Sequence, residues 1–274
     1  MTNQTSQDHR ATGASEEQAP LVVGSSPAQG VLLITLNRPS KLNALSPALL
    51  GELQALLKSA DADPSIRCAI LTGTGKAFCA GADIKDMIDR GLDAYLDPQK
   101  LAGLDAVESF SKPLIAAANG YVLGGGLELA MLCDFIIASE LAVFGQPEIN
   151  IAAFPGDGGT QRLPRLIGKA LAMKMILTGE TIDARRAERV GLVQEVTSPA
   201  DLLPRATDIA KLIATKSPCA LRLAKQAVQQ VYQTPLREGL KFEQDATRQV
   251  FATEDRAEGL RAYTEKRAAR YKGR

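Results

Sequence analysis

From Val31 onward the apolar and polar positions change their period again and again. VLLITLNRP (31–39) is a short, almost continuous apolar run that stops at a proline, the pattern of a buried strand. SPALLGELQALLKSADAD (46–63) switches to leucines three and four apart and predicts a helix, with Ser46 as N-cap and Pro47 at its first position. IRCAILTGTG (66–75), PLIAAANG (113–120) and DFIIASE (134–140) predict further strands, and GLVQEV (191–196) a short late one. Helical spacing fills 84–110, 125–133 and 159–190. Alternation of this kind predicts an α/β fold with right-handed crossovers and a largely parallel sheet.

Beyond about residue 199 the strands stop. Segments 199–214, 218–233, 235–251 and 254–271 are helical by pattern, punctuated by Pro199, Pro218, Pro235 and Thr253–Glu254. Four helices behind an α/β core predict a region that packs on something else, another subunit being one candidate. At the other end, MTNQTSQDHRATGASEEQAP has no apolar stretch and three acids, so it reads neither as a secretory signal nor as a mitochondrial presequence. A disordered tail over 1–27, a core over 28–198 and a helical region over 199–274 is the expected organisation.

Composition narrows the function more than the fold. With 45% hydrophobic and 23% charged residues in 274, the chain can bury a core without staples. A net charge of +1 sets up no global field for nucleic acid or an anionic membrane. Aromatic residues make up 4%, tryptophan is absent, and no run interleaves Lys or Arg with stacking side chains, which speaks against RNA binding. No run is long enough for a membrane span. Cys68, Cys79, Cys133 and Cys219 stand far apart with no C-x-x-C, which excludes the usual zinc frameworks and predicts reduced thiols in a cytoplasmic protein with no metal. The one histidine, His9, falls in the polar tail, so acid–base chemistry must rest on carboxylates.

Three segments are candidates for that chemistry. In NGYVLGGGLELAMLCD (119–134) glycines precede a helix that is apolar all round except for Glu128. Glycine there leaves the first N–H groups open to an oxygen anion, although it would equally allow close helix–strand packing. Neither phosphate-loop spacing is present, and the Gly-Lys of LTGTGKAF also fails that pattern. In FGQPEINIAAFPGDGGTQRL (144–163), Glu148 follows a proline and precedes Ile149 and Ile151. A lone loop glutamate is usually solvated, but a buried one gains a raised pKa suited to proton transfer. In KAFCAGADIKDM (76–87), small residues lead to Asp83, which reads most simply as a helix cap. Taken together, two open backbone loops and two carboxylates in apolar settings describe one kind of site: N–H donors for a carbonyl becoming an enolate, and two acids to place water and move protons.

These three segments resemble the signature of the crotonase (enoyl-CoA hydratase/isomerase) family, and most closely its enoyl-CoA hydratase branch. The resemblance covers the chain from about residue 28 and includes FATEDRAEGLRAYTEKR (251–267). It implies a crotonase-like spiral of ββα repeats in two sheets, followed by a C-terminal helical trimerisation region. Carried over by position, it implies an oxyanion hole from the N–H groups of Ala82 and Gly125, and catalytic Glu128 and Glu148. The implied reaction is syn addition of water across C2=C3 of a trans-2-enoyl-CoA, with Glu148 exchanging the proton at C2 and Glu128 holding the water. Contacts to substrate or CoA are implied at Ala80, Asp83, Ile84, Lys85 and Lys266, the last within a basic stretch from Arg256 to Arg274. No cofactor is implied, coenzyme A being part of the substrate, and the implied assembly is a homotrimer or a dimer of trimers. Asp157 stands where the branch often has a small residue; it reads as an N-cap of the next helix or as a third site carboxylate facing a polar acyl group. The rival activities are double-bond isomerisation, thioester hydrolysis and carbon–carbon lysis. A silent scaffold is disfavoured by the intact glutamate pair.

Overall fold

The computed structural model describes residues 19–274; the expectation of a disordered tail falls mostly on residues outside that range. Residues Val22–Ala28, which the tail reading included, instead form an edge strand, β1. Its pairing is antiparallel to β2 (Val31–Leu36), and Glu52 Oε2 accepts the Leu21 and Val22 N–H groups at 2.8 and 3.0 Å.

The pattern alone predicts one sheet; there are two, as the resemblance implies. The larger runs β1-β2-β3-β5-β7-β10, where β3 is Cys68–Gly73, β5 Leu114–Ala118, β7 Phe135–Ser139 and β10 Glu195–Thr197, and every pair after the first is parallel. The smaller runs β4-β6-β8-β9, with β4 Ala77–Cys79, β6 Tyr121–Leu123, β8 Val143–Gly145 and β9 Thr181–Asp183. Within it β4, β6 and β8 are mutually parallel, and β9 closes the edge antiparallel. Three successive turns of the chain, β3–β4, β5–β6 and β7–β8, therefore each add one strand to each sheet before entering a helix, a spiral of ββα repeats.

Helix α1 (Pro47–Ala62) starts as its sequence predicts, with Ser46 Oγ accepting the Leu49 N–H, and buries Leu49, Leu50, Leu53 and Leu57 on one face. The stretch 84–110 is not one helix but three, α2 (Ile84–Arg90), α3 (Leu92–Tyr95) and α4 (Pro98–Glu108), broken at Gly91 and Pro98. Helix α4 packs on α1 closely enough that a Cβ on Gly103 would lie 2.6 Å from Leu50 Cβ. Then come α5 (Gly125–Leu132), wholly buried, α6 (Gly159–Ile167), α7 (Lys169–Thr178) and α8 (Ala184–Arg189).

Alternate residues of the large sheet face opposite ways. Ile34, Leu36, Leu71, Leu114 and Ala116 join α1 and α5 in the main core, while Val31, Ile70, Ile115 and Ile137 face a second layer. That layer is α9 (Leu202–Ala214), through Leu202, Ala206 and Ala210. A sheet covered on both faces explains the continuous apolar runs of its strands. It also moves α9 out of the appendage expected after 199 and into the core. The remaining helices are α10 (Pro218–Gln229), α11 (Leu236–Phe251) and α12 (Glu254–Thr264). Lys225 ties α10 to the core, donating to the Lys112 carbonyl at 2.9 Å and meeting Asp134 Oδ1 at 3.1 Å. Among the described residues no helix is long and apolar enough to cross a membrane.

Candidate active site

The three candidate segments leave the same edge of the small sheet. Ala82 lies three residues after β4, Gly125 two after β6 and Glu148 three after β8. Because these strands are adjacent and parallel, their ends stand side by side, roughly 4.8 Å apart per step, and ligands bind beyond the carboxyl ends of such strands.

Gly81 (φ +110°) and Gly124 (φ +53°) turn the chain there, a backbone state that side chains disfavour. The two turns touch: a Cβ on Gly81 would lie 3.7 Å from the Gly125 nitrogen, and one on Gly125 would lie 3.7 Å from the Ala82 nitrogen. Ala82 is held by a parallel bridge to Leu45, in which Leu45 N–H donates to Gly81 O (2.8 Å) and Asp83 N–H to Leu45 O (3.0 Å). That bridge uses the groups on either side of the Ala82 N–H and leaves it open, while the Gly125 N–H is the first of its helix. Two converging N–H groups can hold one oxygen that gains negative charge.

Glu128 sits in the first turn of α5 and is 2% exposed. Its Oε1 accepts the Asp157 N–H at 2.8 Å and the Gly159 N–H at 2.7 Å, which fixes the carboxylate and leaves Oε2 without a protein donor. Burial raises its pKa; the Gly159 N–H opposes this, the Asp157 charge adds to it, and the Asp157 N–H and Lys100 oppose it. Glu148 occupies a 3-10 turn (Pro147–Ile151) and approaches Gly124 so closely that a Cβ there would lie 3.0 Å from its Oε1. Its carboxyl is pushed up to about 7, first by burial and then by the charges of Glu128 and Asp157, with its own N–H pulling the other way. Gln146, fully buried, braces Glu148. Its amide Nε2 donates to Glu148 at 2.9 and 3.1 Å in the orientation that satisfies both groups, and the same amide lies 2.7 Å from where a Cβ on Gly159 would be.

Other expectations fare differently. Asp83 caps α2, accepting the Lys85 N–H at 3.0 Å; burial would raise its carboxyl, but Arg38 at 2.7 Å holds it below the ordinary value. Its carboxylate is thus committed to structure, and the Ala80 N–H is likewise spent on Leu42 O at 3.0 Å. Ile84 and Lys85 are exposed on α2 near the open N–H groups, whereas Lys266 is exposed beyond α12, in the helical region. Asp157 does not cap α6: the cap is Gly158, without a side-chain bond, because the Asp157 carboxylate is drawn to Lys100 at 2.7 Å. Cys79, beside the site, is a buried thiol raised to about 12 and so no nucleophile. Sequence reasoning missed Gln146 and Lys100, and also Asn43, whose buried amide bonds Arg38 N–H, Thr74 O and Ala77 O and so pins the Leu45 segment to β4. Their partners lie as many as 57 residues away, and no local pattern marks them.

Residues 26–274 match the family model described as enoyl-CoA hydratase/isomerase. The chain belongs to the enoyl-CoA hydratase/isomerase family. It is 52% identical over 245 residues to a Rhizobium meliloti protein named "Probable enoyl-CoA hydratase", covering 88% of this chain and 94% of that one. The 2,3-dehydroadipyl-CoA hydratase of Escherichia coli is 47% identical over 247 residues, 90% and 96% of the two chains. A crystal structure of enoyl-CoA hydratase from Bacillus anthracis superposes with a TM-score of 0.87 at 43% identity, covering 93% of this chain and all of that one. The ββα spiral is thus the crotonase fold of this family, followed by C-terminal helices.

Proposed function

We propose that this chain is an enoyl-CoA hydratase, a hydro-lyase that adds water across the C2=C3 bond of a trans-2-enoyl-CoA to give the 3-hydroxyacyl-CoA. The observation that carries the reading is the meeting, at one sheet edge, of two open N–H groups, the buried Glu128 and the half-buried Glu148. In this reading the Ala82 and Gly125 N–H groups hold the thioester oxygen as it becomes enolate-like, each contributing about 3–4 kcal/mol to the transition state. Glu128, its Oε1 locked, uses Oε2 to accept a proton from water as the water oxygen bonds C3. Glu148 gives its proton to C2 on the same face. One proton is shared by the pair before and after the step, so turnover requires the singly protonated pair and falls off on both sides of its pH window.

Lys85 and Ile84 stand where α2 starts, suited to the CoA moiety; Ala80 and Asp83 would contribute through backbone position, and Lys266 only across a subunit boundary. The assembly in this reading is a homotrimer or a dimer of trimers, and the compartment is cytoplasmic, in keeping with buried, unpaired Cys68, Cys79 and Cys133.

The test is the loss of conjugated enoyl-thioester absorbance with a short trans-2-enoyl-CoA. Rapid loss is expected, slowed by about 10²–10⁴ in Glu148→Gln and in Glu128→Gln with unchanged circular dichroism. No loss from a folded, CoA-binding protein would overturn hydration.

A further inference from the structure

The loop from Pro155 to Gly158 orients Glu128 through its backbone, and side chains of α3 and α4 hold that loop in turn. Tyr95 Oη of α3 donates to the Gly156 carbonyl at 2.7 Å. Lys100 Nζ of α4 lies 2.7 Å from Asp157 Oδ1, with both side chains about one-tenth exposed (10% and 11%). The same ammonium lies 4.3 Å from the centre of the Tyr95 ring. Arg162 completes the brace, donating to the Asp157 carbonyl at 3.1 Å while pairing with Glu108, at the end of α4, at 2.7 Å.

A buried ion pair is a poor source of stability, because stripping water from two charges offsets most of their attraction. This one stands where three carboxylates meet. The groups facing Glu128 are Asp157 from the loop, Glu148 from the 3-10 turn, Tyr95 from α3 and Lys100 from α4. Without a cation, the two glutamates beside the Asp157 charge would resist ionising still more, and Glu128 could not act on water. Without the clamp, the Asp157 and Gly159 N–H groups would lose the position in which they fix Oε1.

We propose that Lys100 is a positioning residue for the reaction: by clamping and neutralising Asp157 it fixes the two N–H donors that hold Glu128 and supplies a buried positive charge to the glutamate pair. The proposal rests on the hydratase reading for its kinetic expectation only. The role differs from that of a structural pair because it is carried by charge: a neutral pair of the same shape preserves the glutamates' balance, and a single neutral substitution does not.

The experiment compares Lys100→Met, Asp157→Asn and the double variant by pH profiles of kcat and KM. It is paired with a ¹³C-carboxyl titration of glutamate in the free protein. Lys100→Met is expected to lower kcat about tenfold with KM nearly unchanged, and to move both limbs of the profile up by about one pH unit. Asp157→Asn, which keeps the loop backbone and removes a negative charge, moves both limbs down. The double variant brings them back toward the parent. Unmoved limbs in both single variants, or a double variant displaced as far as Lys100→Met, would overturn the proposal. If Lys100→Met does not fold, the opposite displacement in Asp157→Asn decides. If the parent protein does not turn over enoyl-CoA, the hydratase reading fails, while the carboxyl titrations still show whether Lys100 governs the pair.

Discussion

Glu148 is a carboxyl raised from its ordinary 4.5 to about 7, chiefly by burial. Its raised value has a consequence for folding as well as for proton transfer. Between those two pH values the folded chain keeps a proton that the unfolded chain releases, so this residue's contribution to stability falls as pH rises through the window and is level above it. Glu148→Gln removes the titration. At pH 8 it is expected to be more stable than the parent by about 1–2 kcal/mol, solvent at this half-buried carboxyl screening part of the effect, with the difference shrinking toward zero below pH 4, as read by urea unfolding at both pH values. The loss of activity and the gain of stability in one substitution would separate a functional carboxylate from a structural one. Both glutamates stood out as candidates in the sequence only when the three segments were taken together, since a lone acid among apolar neighbours is a weak signal by itself. Lys100 and Asp157 acquire their roles from partners brought in by the fold: of the two readings of Asp157, cap or site carboxylate, the cap fails because its side chain crosses to α4.

At the scale of elements, long strands and helices were legible and the small sheet was not. Strands β4, β6 and β8 have three residues each, too few to show a period of two, yet they carry the site on their ends. Their neighbours in the large sheet have five or six residues and announce themselves by apolar runs. The packing of α5 on β4 depends on one missing side chain: a Cβ at Gly126 would meet the Cys79 carbonyl oxygen at 2.0 Å. Gly126→Ala must therefore push the helix off the strand and part the two open N–H groups. It is expected to cost at least about 2 kcal/mol of stability, and kcat should fall further than the loss of folded protein explains, as seen from urea unfolding and active-site-normalised rates. If kcat tracked only the folded fraction, the two turns would not depend on this contact.

For the whole molecule, the division into core and appendage that the pattern predicted holds only past α9, because α9 covers the outer face of the large sheet. Helices α10 and α11 and the turn after α10 instead expose Val228, Val231, Tyr232, Leu236 and Phe251 on a single chain. Apolar surface on that scale suits the contact between subunits proposed above. Sedimentation equilibrium at micromolar concentration is expected to give three or six times the 29.1 kDa of one chain, and Val231→Glu should lower it; a monomeric mass for the parent would refute the trimer. The spiral itself reaches further than its chemistry. Half of the candidate site is backbone, presented by an alanine and a glycine at the ends of neighbouring strands. Such groups have no side chain to delete, and substitution reaches them only by bending the chain. If the site works as proposed, a scan that truncates each residue to alanine would find the glutamates and pass over the backbone groups assigned to work with them.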